Sequence, residues 1–110
     1  MKIKIGITDD HQLFLKSLSL LIDSLPTFEV VLNALNGMEL LKKLSSIQEL
    51  PDIILVDVDM PLMNGIETVK QAAQQFPQVR LVALSVKDDD ITIINMLKAG
   101  CCAYLVKDIH

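Results

Sequence analysis

Positive charge and aromatic rings are scarce in this sequence. Ten Lys and Arg residues face fourteen Asp and Glu, for a net charge of −4. Gripping a phosphate backbone takes clustered Lys and Arg, so this segment is not expected to hold nucleic acid by itself. Only 4% of the residues are aromatic although 51% are hydrophobic, which describes an aliphatic, well-buried chain and excludes a disordered one. No apolar run approaches the roughly 20 residues needed to cross a bilayer. The opening MKIKIGITDD alternates Lys with Ile and carries no signal-peptide core, so a cytoplasmic location away from membranes is expected. Cysteine is nearly missing too. Cys101 and Cys102 are adjacent, which would strain a disulfide between them, and both are expected to be reduced, small and buried. There are no repeats, low-complexity tracts or linkers, and 110 residues suit one domain.

What is present is a strict alternation of strand and helix signals. KIKIGIT (2–8) reads as a strand by alternation and β-branching, FEVVLNA (28–34) as a second and DIILVD (52–57) as a third. The third is continuously apolar and so is expected to be covered on both faces. VRLVALS (79–85) and CAYLV (102–106) complete five strands. Helices are expected over 11–25, 37–47, 65–76 and 89–100, the first with Phe14, Leu18, Leu21 and Leu25 on its core face and the last ending at Gly100. Such an order implies parallel strands, right-handed crossovers and helices on both faces, with the flavodoxin-like sheet order 2-1-3-4-5. The pattern would continue into a fifth helix beside the first. The 110 residues are therefore expected to be a domain cut before that helix, from a longer protein.

In open α/β sheets ligands bind beyond the carboxyl ends of the strands. The first strand ends there in Asp9 and Asp10, the third in Asp57, the fourth in Ser85 and the fifth in Lys107, whereas the second offers only Asn33 and Asn36. Taken singly, each has an ordinary reading: an aspartate capping the first helix, a loop serine, a solvated lysine, a turn aspartate. Together they place three carboxylates, a hydroxyl and an ammonium on one rim. One lysine cannot neutralise three clustered carboxylates, but a hard divalent cation such as Mg²⁺ can. That leaves Asp57 free to attack phosphorus, with Ser85 and Lys107 facing the phosphoryl oxygens.

With DDH at 9–11, VDVDMPLMNGIE at 56–67 and LKAGCCAYLVKD at 97–108, the chain resembles a receiver domain of a two-component response regulator, of CheY-like fold. It is most similar to the subfamily with a C-terminal LuxR/NarL-type helix-turn-helix output domain. The resemblance implies that Asp57 is the phosphoacceptor for a sensor histidine kinase. It implies Mg²⁺ held directly by Asp10, Asp57 and the backbone carbonyl of Asp59, with Asp9 acting through a water. Ser85 would be the switch hydroxyl, Lys107 the phosphate-binding lysine and Tyr104 the switch aromatic. Pro61 and Gly65 would shape the loop beside the site. Asp59 and Lys87 would tune the lifetime of the acyl phosphate. Phosphorylation would change the helix-four and strand-five surface, where homodimerisation is an option, and DNA would be bound only through an output domain outside this chain. The domain would be no enzyme beyond its own phosphorylation and dephosphorylation.

The sequence departs from the family pattern in places. Asn64 stands where an aspartate is usual at the start of the third helix, Leu62 where a glycine is common, and Asp108 where a proline often follows the lysine. Two rival readings remain at this point. The Asp57-x-Asp59 pair also resembles the nucleophile motif of haloacid-dehalogenase-like phosphatases, in which Asp59 would be the general acid/base. The same fold also serves as an interaction module that is never phosphorylated.

Overall fold

The computed structural model describes residues 1–107, so the reading of Asp108 falls outside the described residues. Among the described residues nine elements alternate: β1 (Ile3–Thr8), α1 (Gln12–Asp23), β2 (Phe28–Ala34), α2 (Gly37–Ser46), β3 (Ile53–Asp57), α3 (Gly65–Gln75), β4 (Arg80–Ser85), α4 (Asp90–Ala99) and β5 (Ala103–Val106). The strands form one parallel sheet in the order β2-β1-β3-β4-β5, as the pattern predicted. The expected ends are off by one or two residues, because terminal turns and strand ends make few of the defining bonds.

Strand alternation sorts the core into two layers. Ile5 and Ile7 of β1 turn toward Leu15 of α1, with Val30, Ile53 and Leu55 beside them. The opposite face carries Ile54, Val56, Leu81 and Ala83, which pack with Leu40, Leu44, Val69, Ala72 and Met96 of the other three helices. The run from Ile53 to Val56 feeds both layers, which is why it lacks polar residues.

Local chemistry sets the helix ends. Asn36, Asn64 and Asp89 each accept from a backbone N–H three residues on, at 2.9, 3.0 and 3.0 Å, satisfying donors that a first turn leaves open. Asn64, standing where the family usually has an aspartate, thus caps α3. Gly100, at φ 136°, ends α4 with its N–H directed back to Leu97 and Met96, a conformation that L side chains resist.

The structure corrects two expectations. The core face of α1 is not the Phe14–Leu18–Leu21–Leu25 stripe: Leu15 is buried and Leu18 and Ile22 are half-buried, while Leu21 and Leu25 are 61% and 43% exposed. Apolar residues lie all round this helix, and Ile5, Ile7 and Val30 of the sheet select which of them turn inward. Cys102 is exposed; only Cys101 is buried, and burial pushes its thiol up to about 11. On α4, Met96 is buried whereas Ile91, Ile94 and Leu97 are exposed. Among the described residues no helix is long and apolar enough to cross a membrane.

Candidate functional site

Parallel strands bring all their carboxyl ends to one rim, and the residues expected there do meet. Asp9 follows β1, Asp57 and Ser85 are the last residues of β3 and β4, and Lys107 follows β5. All but Lys107 are buried by exposure, and the Lys107 side chain is only 8% exposed. Its ammonium lies 2.7 Å from Asp9 Oδ2 and 3.7 Å from Asp57 Oδ1. The Lys107 backbone N–H donates to the Ser85 carbonyl at 2.6 Å, which fixes the lysine to the end of the neighbouring strand. Asp10, His11, Phe14, Asp57, Asp59, Ser85, Val86 and Lys107 line one cavity of about 420 Å³.

The cluster is short of positive charge. Asp57 has its carboxyl pushed up to about 6, chiefly by burial and next by the charge of Asp9; Asp10 adds to the rise, and Lys107 offsets only part of it. A buried carboxylate that loses its proton with such difficulty is one that a hard cation would stabilise. Carboxyl oxygens of Asp9 and Asp10 and a ring nitrogen of His11 lie within 4.8 Å of one another. Oxygen donors suit Mg²⁺ and an imidazole does not, so the donor set that fits is the aspartates.

Neither Asp9 nor Asp10 is the N-cap of α1. His11 occupies that position, and its backbone N–H donates to Asp9 Oδ1 at 2.9 Å. The edge-strand asparagines take no part at the rim: Asn33 accepts from Ser19 and Asn36 caps α2.

The loop after β3 turns sharply. The Met63 N–H donates to the Pro61 carbonyl at 2.7 Å, so Leu62 is the middle residue of a three-residue turn, at φ 68°. That is a strained value for a branched side chain, and it explains why glycine would suit the position. Gly65 follows where a Cβ would meet the Asp57 carbonyl oxygen at 2.5 Å and the Val58 carbonyl oxygen at 2.9 Å. Only glycine lets α3 start so close to the strand that carries Asp57.

Lys87 ties three predicted residues together. Its N–H donates to Ser85 Oγ at 3.1 Å, its carbonyl accepts from the Tyr104 hydroxyl at 2.7 Å, and its ammonium pairs with Asp59 at 3.1 Å. Tyr104 is half-buried against the larger core layer. Three residues that line the site, His11, Phe14 and Val86, were not singled out from the sequence as part of it. His11 was visible only as the third letter of DDH. Phe14 had been assigned to the α1 core face, yet its ring lies under the Lys107 ammonium, 4.3 Å from centroid to nitrogen.

Comparison with known proteins identifies the family and the fold. The response regulator receiver domain family matches residues 5–110. The transcriptional regulatory protein DegU of Brevibacillus brevis is 38% identical over 111 residues, which cover 98% of this chain and 45% of that protein. The nitrate/nitrite response regulator protein NarL of Escherichia coli K12 is 34% identical over 104 residues, covering 94% of this chain and 47% of its own. The chain thus spans about half the length of the curated relatives it matches. Among solved structures, the response regulator domain of Thermotoga maritima CheB superposes with a TM-score of 0.86 at 30% identity, over 97% of this chain and 79% of that one.

Proposed function

This chain belongs to the response regulator receiver family, and on that footing we propose that Asp57 accepts a phosphoryl group from the phosphohistidine of a sensor histidine kinase. The observation that carries the reading is the buried Asp57 carboxylate, which ends β3 with an ammonium 3.7 Å away and a second buried aspartate bound to that ammonium. An Asp57 oxygen forms a bond to phosphorus as the phosphorus–nitrogen bond of the donor breaks, and the released imidazole takes a proton from solvent. Lys107 offsets charge on the phosphoryl oxygens. Ser85 Oγ accepts from Lys87 and so keeps its own proton free to donate to the same group. Asp10, Asp57 and the Asp59 carbonyl would hold Mg²⁺, with Asp9 joined through a water. When bound, that ion neutralises the carboxylates and draws the phosphoryl oxygens toward Asp57.

Signalling then proceeds through the Lys87 segment. A Ser85 hydroxyl drawn toward the phosphoryl group releases the Lys87 N–H, and the Tyr104 hydroxyl holds the same residue by its carbonyl. The response would spread to α4 and β5, whose exposed Ile91, Ile94, Leu97 and Val106 offer a surface for a second copy. Relatives named as transcriptional regulatory proteins, DegU among them, support an output through DNA binding by another part of a longer chain. A haloacid-dehalogenase-like phosphatase would need Asp59 as its acid/base, whereas here that carboxylate pairs with Lys87.

The test is incubation with acetyl phosphate and Mg²⁺, with the modified residue located by mass spectrometry. Phosphate is expected on Asp57, none in Asp57→Asn, and continued labelling in Asp59→Asn. Label on another residue, or none at all, would refute the reading.

A further inference from the structure

We infer that Phe14 is a positioning residue for Lys107, and that its ring keeps the ammonium over the site when the aspartate charges are cancelled. The inference rests on the phosphoacceptor reading given above. The ammonium is 4.3 Å from the ring centroid, inside the roughly 6 Å over which a cation is drawn to an aromatic face. The Lys107 side chain is 8% exposed, so water competes little for that attraction.

Lysine has a long, flexible stem, and here it follows an edge strand of four residues. Its other two attachments are charges: Asp9 at 2.7 Å and Asp57 at 3.7 Å. Those are the charges that change during the reaction. A divalent cation competes with the lysine for both carboxylates, and phosphorylation converts the Asp57 carboxylate to an acyl phosphate. The pull of the ring depends on neither event. Phe14 sits in the first turn of α1 and lines the same cavity as Asp10 and Asp57, so it anchors the ammonium through a contact that involves neither aspartate. An aliphatic residue there would fill the space without holding the charge.

Two kinds of measurement test this. In NMR spectra of the protein, the Lys107 ε-methylene and ammonium protons are expected upfield of those of the other lysines, with and without Mg²⁺. Phe14→Leu should abolish that shift and slow phosphorylation by acetyl phosphate about ten-fold. Phe14→Tyr, which keeps the ring, should retain both the shift and the rate. A urea melt of each variant establishes that it is folded, and Phe14→Met replaces Phe14→Leu if the latter is not. Lys107 protons without the upfield shift in the wild-type protein would overturn the inference. So would a Phe14→Leu chain phosphorylated at the wild-type rate, although the phosphoacceptor reading would survive it. A wild-type protein that takes no phosphate on Asp57 sinks that reading, and the role given to Phe14 falls with it.

Discussion

Replacing Asp57 by Asn should make the protein more stable, by an amount that depends on pH. The Asp57 carboxyl rises from an ordinary 3.8 to about 6 in the folded chain, through burial first and the neighbouring aspartates next. At about 1.4 kcal/mol for each pH unit of displacement, the ionised form costs the fold about 3 kcal/mol. The sign follows from linkage. Below about pH 3.8 the carboxyl is protonated in both states and contributes nothing. As pH rises toward about 6, the unfolded chain has released its proton while the folded one still holds it, so stability falls. Above that, the full cost persists. Asn carries no charge at any pH, so the gap between variant and wild type should be near zero at pH 3.5 and approach about 3 kcal/mol at pH 8. Urea melts in a chelator, at half-unit pH steps, measure it. Adding Mg²⁺ should narrow the gap at high pH, because a ligand stabilises the folded form it binds, by about 2.7 kcal/mol at a hundred-fold excess over Kd. A gap that does not change with pH, or a wild type more stable than the variant at pH 8 without metal, would show that charge crowding at Asp57 has been misjudged.

The other predictions concern particular contacts. Leu62→Gly should raise stability by roughly 0.5 kcal/mol in a urea melt, because relief of the left-handed backbone exceeds the entropy that glycine adds to the unfolded chain; a loss would mean that the turn is not strained. Thr8 is buried, and its hydroxyl is the one buried side-chain group without a partner among the described residues. Thr8→Val should therefore gain about 1 kcal/mol by the same assay, and destabilisation would reveal a partner that the hydroxyl keeps. Lys87→Ala removes a pair whose side chains are 47% and 61% exposed, so stability should hardly move. The rate at which phosphorylated protein loses its label should change, since Asp59 of that pair lines the cavity; an unchanged decay would dismiss the pair as a tuning element.

Much of the site was legible because strand ends announce themselves. The continuously apolar run Ile53–Val56 reads as a strand covered on both faces, so its next residue, Asp57, is expected to emerge at the rim. Once the order β2-β1-β3-β4-β5 follows from alternation, Asp9, Ser85 and Lys107 must emerge at the same rim. No distance was needed for that step. The face of α1 was not legible, because Leu13, Leu15, Leu18, Leu20, Leu21 and Ile22 admit several stripes. The choice among them belongs to the sheet residues opposite. Phe14 was misassigned for the same reason: helical periodicity treats an aromatic ring as filler and is blind to an ammonium that arrives from β5, 93 residues later in the chain.

The Lys87 contacts show a different limit. Two of its three links, to Ser85 and to Tyr104, run through its backbone N–H and carbonyl, which every residue but proline possesses. Only the ammonium's pairing with Asp59 depends on its being lysine. Residue type at this position can therefore set the pairing with Asp59 while leaving the link between Ser85 and Tyr104 intact. On the proposed reading the two roles are separable by substitution: side-chain changes at Lys87 act on its pair with Asp59, and Tyr104→Phe or the loss of the Ser85 hydroxyl interrupts the link. The side-chain pairing could be inferred from the spacing of two charges beyond two strand ends, whereas the backbone relay became visible only in three dimensions.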